Sequence, residues 1–175
     1  MRKLIRFFTY LCENIDFNLM PRVAIFPGSF DPFTKGHKAI VDEALRIFDR
    51  VIIAIGHNPA KRGLLTVEAR KALIERVYNG EKRIEVSIYS TLTGIEAERL
   101  GASTIIRSVR NSIDFEYERT MDRANREIFP ELRTIMLFAP KEVEYISSSL
   151  VRELHTFGHP TDNLLPEGIS LEEYI

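Results

Sequence analysis

Cysteine is almost missing from this chain: Cys12 stands alone among 175 residues. A single thiol excludes an intramolecular disulfide framework and a clustered thiolate metal site, and it is compatible with a reducing compartment. Excess charge of one sign is missing too. The 24 Lys and Arg face 25 Asp and Glu, a formal net charge of -1, so no overall field favours wrapping nucleic acid or coating an anionic membrane. Any anion site must therefore be local. No apolar run approaches the roughly 18 to 20 residues needed to cross a bilayer. The stretch Met1 to Cys12 joins a basic start to apolar residues, as a signal segment does. Arg6 interrupts it, Glu13 and Asp16 follow, and no small-residue cleavage pattern appears, so export is not expected. Internal repeats and low-complexity blocks are absent as well.

What is present describes an ordinary globular protein. The apolar share is 45% and the charged share 28%, the balance of a folded chain and not of a disordered one. The length suits one domain with a sizeable core. Residues 1 to 20 show no clean period and read as an N-terminal extension, leaving 21 to 175 as one domain with its C-terminal tail.

From Arg22 onward, β-rich runs alternate with helical patterns, the signature of a parallel sheet with crossover helices. Val23 to Phe26 and Val51 to Ile55 are nearly continuous apolar runs, as strands covered on both faces should be. Ile40, Val41, Ala44, Leu45 and Phe48 recur at helical spacing, predicting a helix from about Gly36 to Phe48. Thr66 is placed to cap the next helix, with Ala69, Leu73, Ile74 and Val77 on its buried face. Ile84 to Ile88, Thr104 to Ile106 and Arg133 to Phe138 complete five strands. Helices are expected over Ile95 to Leu100, within Ser112 to Phe129, and from Ser147 through His155. The fold class is α/β, a doubly wound five-stranded parallel sheet, with the ligand site beyond the carboxyl ends of the strands. The tail, with Gly158, Pro160, Pro166 and Gly168, reads as loops with one turn near Leu171 to Tyr174.

The chemistry concentrates in four segments. Gly28-Ser-Phe-Asp-Pro-Phe-Thr-Lys-Gly-His37 joins the first strand to the first helix, where glycines permit close backbone approach and helix-start amides receive phosphate. His37, in the first turn, can donate a hydrogen bond to an oxygen that gains charge during phosphoryl transfer. The alternative is a glycine-bounded loop whose histidine only caps or packs the helix. Asn58-Pro-Ala-Lys-Arg62 follows the second strand and offers Lys61 to a substrate phosphate, although an exposed basic pair is also an ordinary surface. Arg107 and Arg110 leave the fourth strand with guanidinium forks that suit phosphate, or pair with Asp114, Glu116 or Glu118. Ser147, Ser148 and Ser149 open the last helix as phosphate ligands or simply as caps.

The first segment resembles the signature of the nucleotidylyltransferase superfamily. In its fuller form, Pro27-Gly-Ser-Phe-Asp-Pro-Phe-Thr-Lys-Gly-His37, it is similar to that of the bacterial phosphopantetheine adenylyltransferase family. Ile106-Arg-Ser-Val-Arg110, Asp114-Phe-Glu-Tyr-Glu118 and Ile146-Ser-Ser-Ser-Leu-Val-Arg152 resemble that family in the same order, and the likeness spans about Arg22 to Phe157. Ser108 stands where the family carries glycine, Val143 where many members have tryptophan, and Ser29 where threonine is frequent.

The resemblance implies a Rossmann-like nucleotidylyltransferase fold and adenylyl transfer from ATP to 4'-phosphopantetheine, giving 3'-dephospho-coenzyme A and pyrophosphate. It implies that Ser29, Lys61, Thr93, Arg107 and Asn125 meet the acceptor. Ser29, Phe30 and His37 would lie at ATP, with Ser108, Val109, Arg110, Glu118, Val143, Glu144, Tyr145, Ile146, Ser147, Ser148 and Ser149 around it, and His37 would be catalytic. Mg2+ would accompany ATP without a protein-only cage, Asp31 either assisting indirectly or forming a turn with Pro32. A cytoplasmic homohexamer is implied, with neither nucleic acid nor membrane as partner. Two alternatives remain: another nucleotidylyltransferase with a different phosphorylated acceptor, and a non-catalytic nucleotide-binding protein.

Overall fold

Strands β1 (Val23–Gly28), β2 (Arg50–Gly56), β3 (Ile84–Tyr89), β4 (Thr104–Val109) and β5 (Arg133–Phe138) form one parallel sheet in the order β3-β2-β1-β4-β5. The computed structural model describes residues 21–60 and 62–175. The expected extension over 1–20 and the assignment of Lys61 lie outside the described residues. β1 pairs with β2 from Val23 opposite Arg50 to Gly28 opposite Ile55, and with β4 through Ala24 opposite Thr104. The chain winds outward from β1 in one direction through β2 and β3, then in the other through β4 and β5. The switch between β1 and β4 is where such sheets open a crevice for ligands.

Alternation along β1 and β2 divides the apolar side chains between two faces. Ala24, Phe26, Val51, Ile53 and Ile55 pack in a larger core with Ile40, Val41, Leu73, Ile74 and Val151. Val23, Ile25, Ile52, Ala54 and Ile105 pack on the other side with Ala97 and Leu132. The larger face is covered by α1 (Lys35–Ala44), α2 (Val67–Val77) and α5 (Ser148–Thr156), and the smaller face by α3 (Thr93–Arg99) and α4 (Ser112–Ile128). Phe33 has no exposed surface, and its truncation to alanine would cost about 3–5 kcal/mol.

Several boundaries differ from the sequence pattern for local reasons. α1 stops at Ala44 and not at Phe48, because Arg46 N–H bonds Glu43 O and Ile47 N–H bonds Ala44 O, tightening the turn. Phe48 still reaches the core at 6% exposure. β4 continues past Ile106 because Arg107, Ser108 and Val109 stay in register with Met136, Leu137 and Phe138. Arg107 therefore sits within the strand and does not follow it. α3 begins at Thr93, two residues early, and Ser147 is the cap of α5 and not its first residue.

The tail returns across the larger face, burying Leu164, Leu165, Ile169 and Leu171 around two short 3-10 turns, Asp162–Leu164 and Leu171–Glu173. Lys35 Nζ donates to the Asn163 carbonyl at 2.8 Å, and Arg76 bonds both the Gly168 carbonyl and the Glu173 carboxylate. This ties the tail to the start of α1 and to α2. Among the described residues no helix is long and apolar enough to cross a membrane.

Candidate active site

The loop that leaves β1 is shaped by its aromatic residues. Phe30 takes the left-handed conformation, φ 48°, which a non-glycine residue adopts only when its surroundings hold it there. Its ring packs on Phe26, Phe33 and His37, the last at 5.1 Å and nearly perpendicular. A Cβ at Gly28 would lie 2.8 Å from that ring, so glycine is what lets the strand exit sit on it. Phe30 is only 2% exposed. The side chain expected at ATP is therefore mostly core, backing His37, and borders the cavity only from beneath.

Thr34 caps α1 in a reciprocal capping box: its Oγ1 accepts from His37 N–H, and His37 Nδ1 accepts from Thr34 N–H at 3.0 Å. That second bond settles the tautomer. With Nδ1 as acceptor, the neutral ring carries its proton on Nε2. Burial, and then the positive charge of Arg110, lower the His37 pKa from its ordinary value of 6.5 to about 4, so at neutral pH the ring is an uncharged Nε2–H donor. Capping, one of the two alternatives set out from the sequence, uses Nδ1 and leaves Nε2 outside the capping box. Gly36 lets α1 approach the Ile146 carbonyl, which a Cβ would meet at 3.1 Å.

A cavity of about 290 Å³ opens at the β1–β4 switch. It brings together Ser29, Phe30, His37, Arg107, Ser108, Arg110, Glu118, Val143, Ile146, Ser147, Ser148 and Ser149. Thr93 and Asn125 line a second cavity of about 210 Å³, which shares Pro27, Arg107 and Glu118 with the first. Val109, Glu144 and Tyr145 line neither. Val109 is buried at 1% exposure, whereas Tyr145 is 62% exposed.

Both arginines are engaged by carboxylates of α4. Arg107 donates from Nε and Nη2 to the two oxygens of Glu118, at 2.5 and 2.7 Å, and Arg110 Nε donates to Asp114 at 2.9 Å. The ion-pair alternative is thus realised at the cavity wall, and it fixes where the guanidinium groups lie. Glu118, expected beside ATP, spends both oxygens on Arg107. The serines divide similarly: Ser147 Oγ caps α5 at Leu150 N–H, Ser148 Oγ donates to the Pro32 carbonyl, and Ser149 Oγ accepts from Arg152. The amides of the first turn have no carbonyl a turn earlier to bond, which leaves them donors for an anion.

Arg152 stands within the serine motif without a role assigned from sequence, and Arg70, which supports the site from behind Ser29, is not singled out there. Arg152 lines the main cavity and donates Nη1 to the Asp31 carbonyl at 2.7 Å. Its spacing from Ser149, three residues on one helix face, was the available signal. The Asp31 carboxylate accepts from Leu64 and Leu65 N–H at 2.8 Å each and lies 3.3 Å from Arg70 Nε. Arg70 in turn donates to the Ser29 and Leu65 carbonyls. Asp31 is therefore a clasp between two loops. No cluster of three metal-ligating side chains occurs among the described residues.

The site thus offers a neutral imidazole donor, free helix-start amides and two anchored guanidinium groups around one crevice. That is an anion bed suited to stabilising charge on phosphate oxygens.

Comparison with known proteins agrees with this geometry. Residues 25–154 match the cytidylyltransferase-like family. The chain is 45% identical over 150 residues to the phosphopantetheine adenylyltransferase of Porphyromonas gingivalis, covering 86% of this chain and 97% of the relative. It is 41% identical over 147 residues to the phosphopantetheine adenylyltransferase of Cytophaga hutchinsonii, covering 84% and 98%. In fold it is similar to the bifunctional NMN adenylyltransferase/ADP ribose pyrophosphatase of Francisella tularensis, with a TM-score of 0.65 at 19% identity over 86% of this chain and 46% of that one. Carrying the histidine-bearing helix start, the two arginines and the serine-capped helix around one crevice, the chain belongs to the phosphopantetheine adenylyltransferase family.

Proposed function

We propose that the protein transfers the adenylyl group of ATP to the phosphate of 4'-phosphopantetheine, forming 3'-dephospho-coenzyme A and pyrophosphate as a step of coenzyme A biosynthesis. The observation that carries this reading is the pair of cavities meeting at Arg107: one lined by helix starts and cations, the other mostly apolar with Thr93 and Asn125 in its wall. The first suits a triphosphate and the second the arm of a phosphorylated acceptor. Their shared boundary is where the two phosphates must meet.

An oxygen of the acceptor phosphate forms a bond to the α-phosphorus of ATP while the bond to the bridging oxygen breaks, and pyrophosphate leaves with that electron pair. No general base is needed, because the nucleophile is already an anion. His37 Nε2–H donates to an α-phosphate oxygen as charge gathers there, and the amides of Ser148 and Ser149 with Arg110 hold the leaving phosphates. Ser29, Lys61 and Arg107 hold the acceptor phosphate, and Thr93 and Asn125 its arm. The segment Val143 to Ile146 borders the nucleotide.

Mg2+ accompanies ATP in this reading and screens charge on the departing pyrophosphate. Glu118, the carboxylate of the main cavity, has both oxygens on Arg107, so the ion would be held by the nucleotide and not by that side chain. The proposed assembly is a cytoplasmic homohexamer. Support for a covered surface comes from Ile113 at 80% exposure and Phe138 at 71%, apolar side chains that favour contact with another copy. Light scattering on the purified protein tests this, and a monomer would overturn it.

The activity is tested by pyrophosphate release with ATP, Mg2+ and 4'-phosphopantetheine, set beside CTP and beside nicotinate mononucleotide and flavin mononucleotide as acceptors. Turnover restricted to one of the other acceptors would replace phosphopantetheine, and none with any acceptor would leave a binding protein.

A further inference from the structure

The loop from Ser29 to Pro32 is gripped by its carbonyls. Arg70 Nη1, reaching in from α2, donates to the Ser29 carbonyl at 3.2 Å. From α5, Arg152 Nη1 donates to the Asp31 carbonyl at 2.7 Å and Ser148 Oγ to the Pro32 carbonyl at 2.8 Å. Arg152 and Ser148 line the main cavity themselves, whereas Arg70 lines a neighbouring space that shares Ser29 and Arg152 with it. The Ser29 carbonyl is therefore held from behind the main cavity and not from within it.

The Arg70 guanidinium is buried beside the buried Asp31 carboxylate, with Nε 3.3 Å from Oδ1 and with Nε and Nη2 both on the Leu65 carbonyl. A buried ion pair is costly to desolvate, and apolar side chains of similar volume are often no less stabilising. Packing alone does not call for an arginine here. The bond to Ser29 gives it a use. The Ser29–Phe30 peptide is trans, so its N–H points opposite to the carbonyl that Arg70 holds, away from Arg70. Both residues of that peptide line the main cavity, and no acceptor among the described residues takes the N–H. Phe30 itself has the left-handed φ of 48°, which persists where the surroundings hold it. With the ring given over to the core, the amide is the part of Phe30 that is left for a ligand.

Resting on the adenylyl-transfer reading above, we propose that Arg70 is a positioning residue for the transfer: it fixes the plane of the Ser29–Phe30 peptide so that Phe30 N–H donates to a non-bridging oxygen of the ATP α-phosphate. A donor aimed in advance at an oxygen that gains charge in the transition state needs no reorganisation when the charge arrives. It works beside His37 Nε2–H, whose ring packs on that of Phe30. The fork of Arg70 reaches the Ser29 and Leu65 carbonyls at once, so it ties the peptide to the start of α2. Lysine would keep a charge beside Asp31 without that double hold.

The experiment follows pyrophosphate release by the wild type, Arg70→Met and Arg70→Lys with Mg2+, 4'-phosphopantetheine and either ATP or each diastereomer of ATPαS, in which sulfur, a poor acceptor, replaces one or the other non-bridging α-oxygen. In the wild type the two diastereomers should differ about tenfold or more in kcat. In Arg70→Met, kcat with ATP falls by about 10- to 100-fold, both KM values stay within about threefold, and the difference between diastereomers shrinks severalfold. Arg70→Lys falls between the two. A merely structural Arg70 would lower the urea midpoint and the fraction of folded enzyme, which scales both diastereomers alike and leaves their ratio as in the wild type. An unchanged ratio in a folded variant overturns the proposal, as does a wild type that uses both diastereomers equally. Should Arg70→Met fail to fold, Arg70→Lys decides by the same ratio. Failure of the wild type to use phosphopantetheine with ATP at all would count against the proposed reaction instead.

Discussion

Arg107 lies with Nε and Nη2 on the two oxygens of Glu118, at 2.5 and 2.7 Å, where the two cavities share a wall. A two-pronged pair of this kind fixes the plane of the guanidinium as well as its position. Lysine preserves the charge but not the fork.

Arg107→Lys should therefore raise the acceptor KM by roughly 10- to 100-fold, with the ATP KM changed far less. Initial rates of pyrophosphate release, with each substrate varied in turn, measure the split. Equal rises in both KM values would mean that Arg107 is not dedicated to the acceptor.

His37→Ala should lower kcat by about 100- to 1000-fold, the loss typical of one oxyanion donor, while ATP still binds. Isothermal titration with ATP and single-turnover rates separate binding from chemistry.

The same ring makes folding sensitive to acid. Burial, reinforced by Arg110, holds the folded pKa near 4, below its ordinary value of 6.5. Between those values the unfolded chain takes up a proton that the folded protein refuses. The stability is present above about pH 6.5 and falls as pH drops toward 4, by about 2 kcal/mol between pH 7 and pH 5. Urea midpoints of wild type and of His37→Gln, which cannot protonate, should converge as the pH falls. An imidazole resonance of His37 titrating near 6.5 would contradict the premise.

Gly63 sits against the Asp31–Arg70 clasp, where an added Cβ would lie 1.9 Å from Arg70 Nη2 and 2.6 Å from Asp31 Oδ2. Arg70 cannot yield freely, since its head also bonds the Leu65 and Ser29 carbonyls. Gly63→Ala is expected to cost about 2–4 kcal/mol, because it pries apart a buried pair. The urea midpoint would drop at unchanged m.

Gly94 opens α3 against Phe129, whose ring a Cβ would meet at 2.2 Å. Both line the second cavity, so Gly94→Ala should displace the ring and raise the acceptor KM severalfold, leaving ATP binding unaltered. Fluorescent ATP-analogue titration beside acceptor kinetics would reveal the asymmetry.

The sheet was legible because β1 and β2 are covered on both faces and so read as unbroken apolar runs. β4 was cut short in the sequence reading because Arg107 and Ser108 are polar, and they are polar because they form the cavity wall. The histidine loop and the serine cap stand out since each is contiguous. Arg70 and Asp31 lie far apart in sequence, and nothing local announces that they meet. Phe30 is expected at ATP from its place in the motif, and its packing on Phe26 and Phe33 behind the cavity is a contact that the motif alone does not spell out. Asp122 and Arg126 are recognisable as a helical i,i+4 pair.

The placement of Ala24 opposite Thr104 carries a consequence for how the crevice comes into being. His37 belongs to the half of the sheet that winds through β2 and β3, whereas Arg107 and Arg110 belong to the half that winds through β4 and β5. The β1–β4 ladder joins the two halves of the sheet, a contact between distant parts of the chain that is slow to form. A partly folded molecule with that seam open has two half-beds and no site. Ligands that span both halves therefore act as a bolt across the seam, and backbone amides of β1 and β4 are where hydrogen exchange should slow most when both substrates are bound.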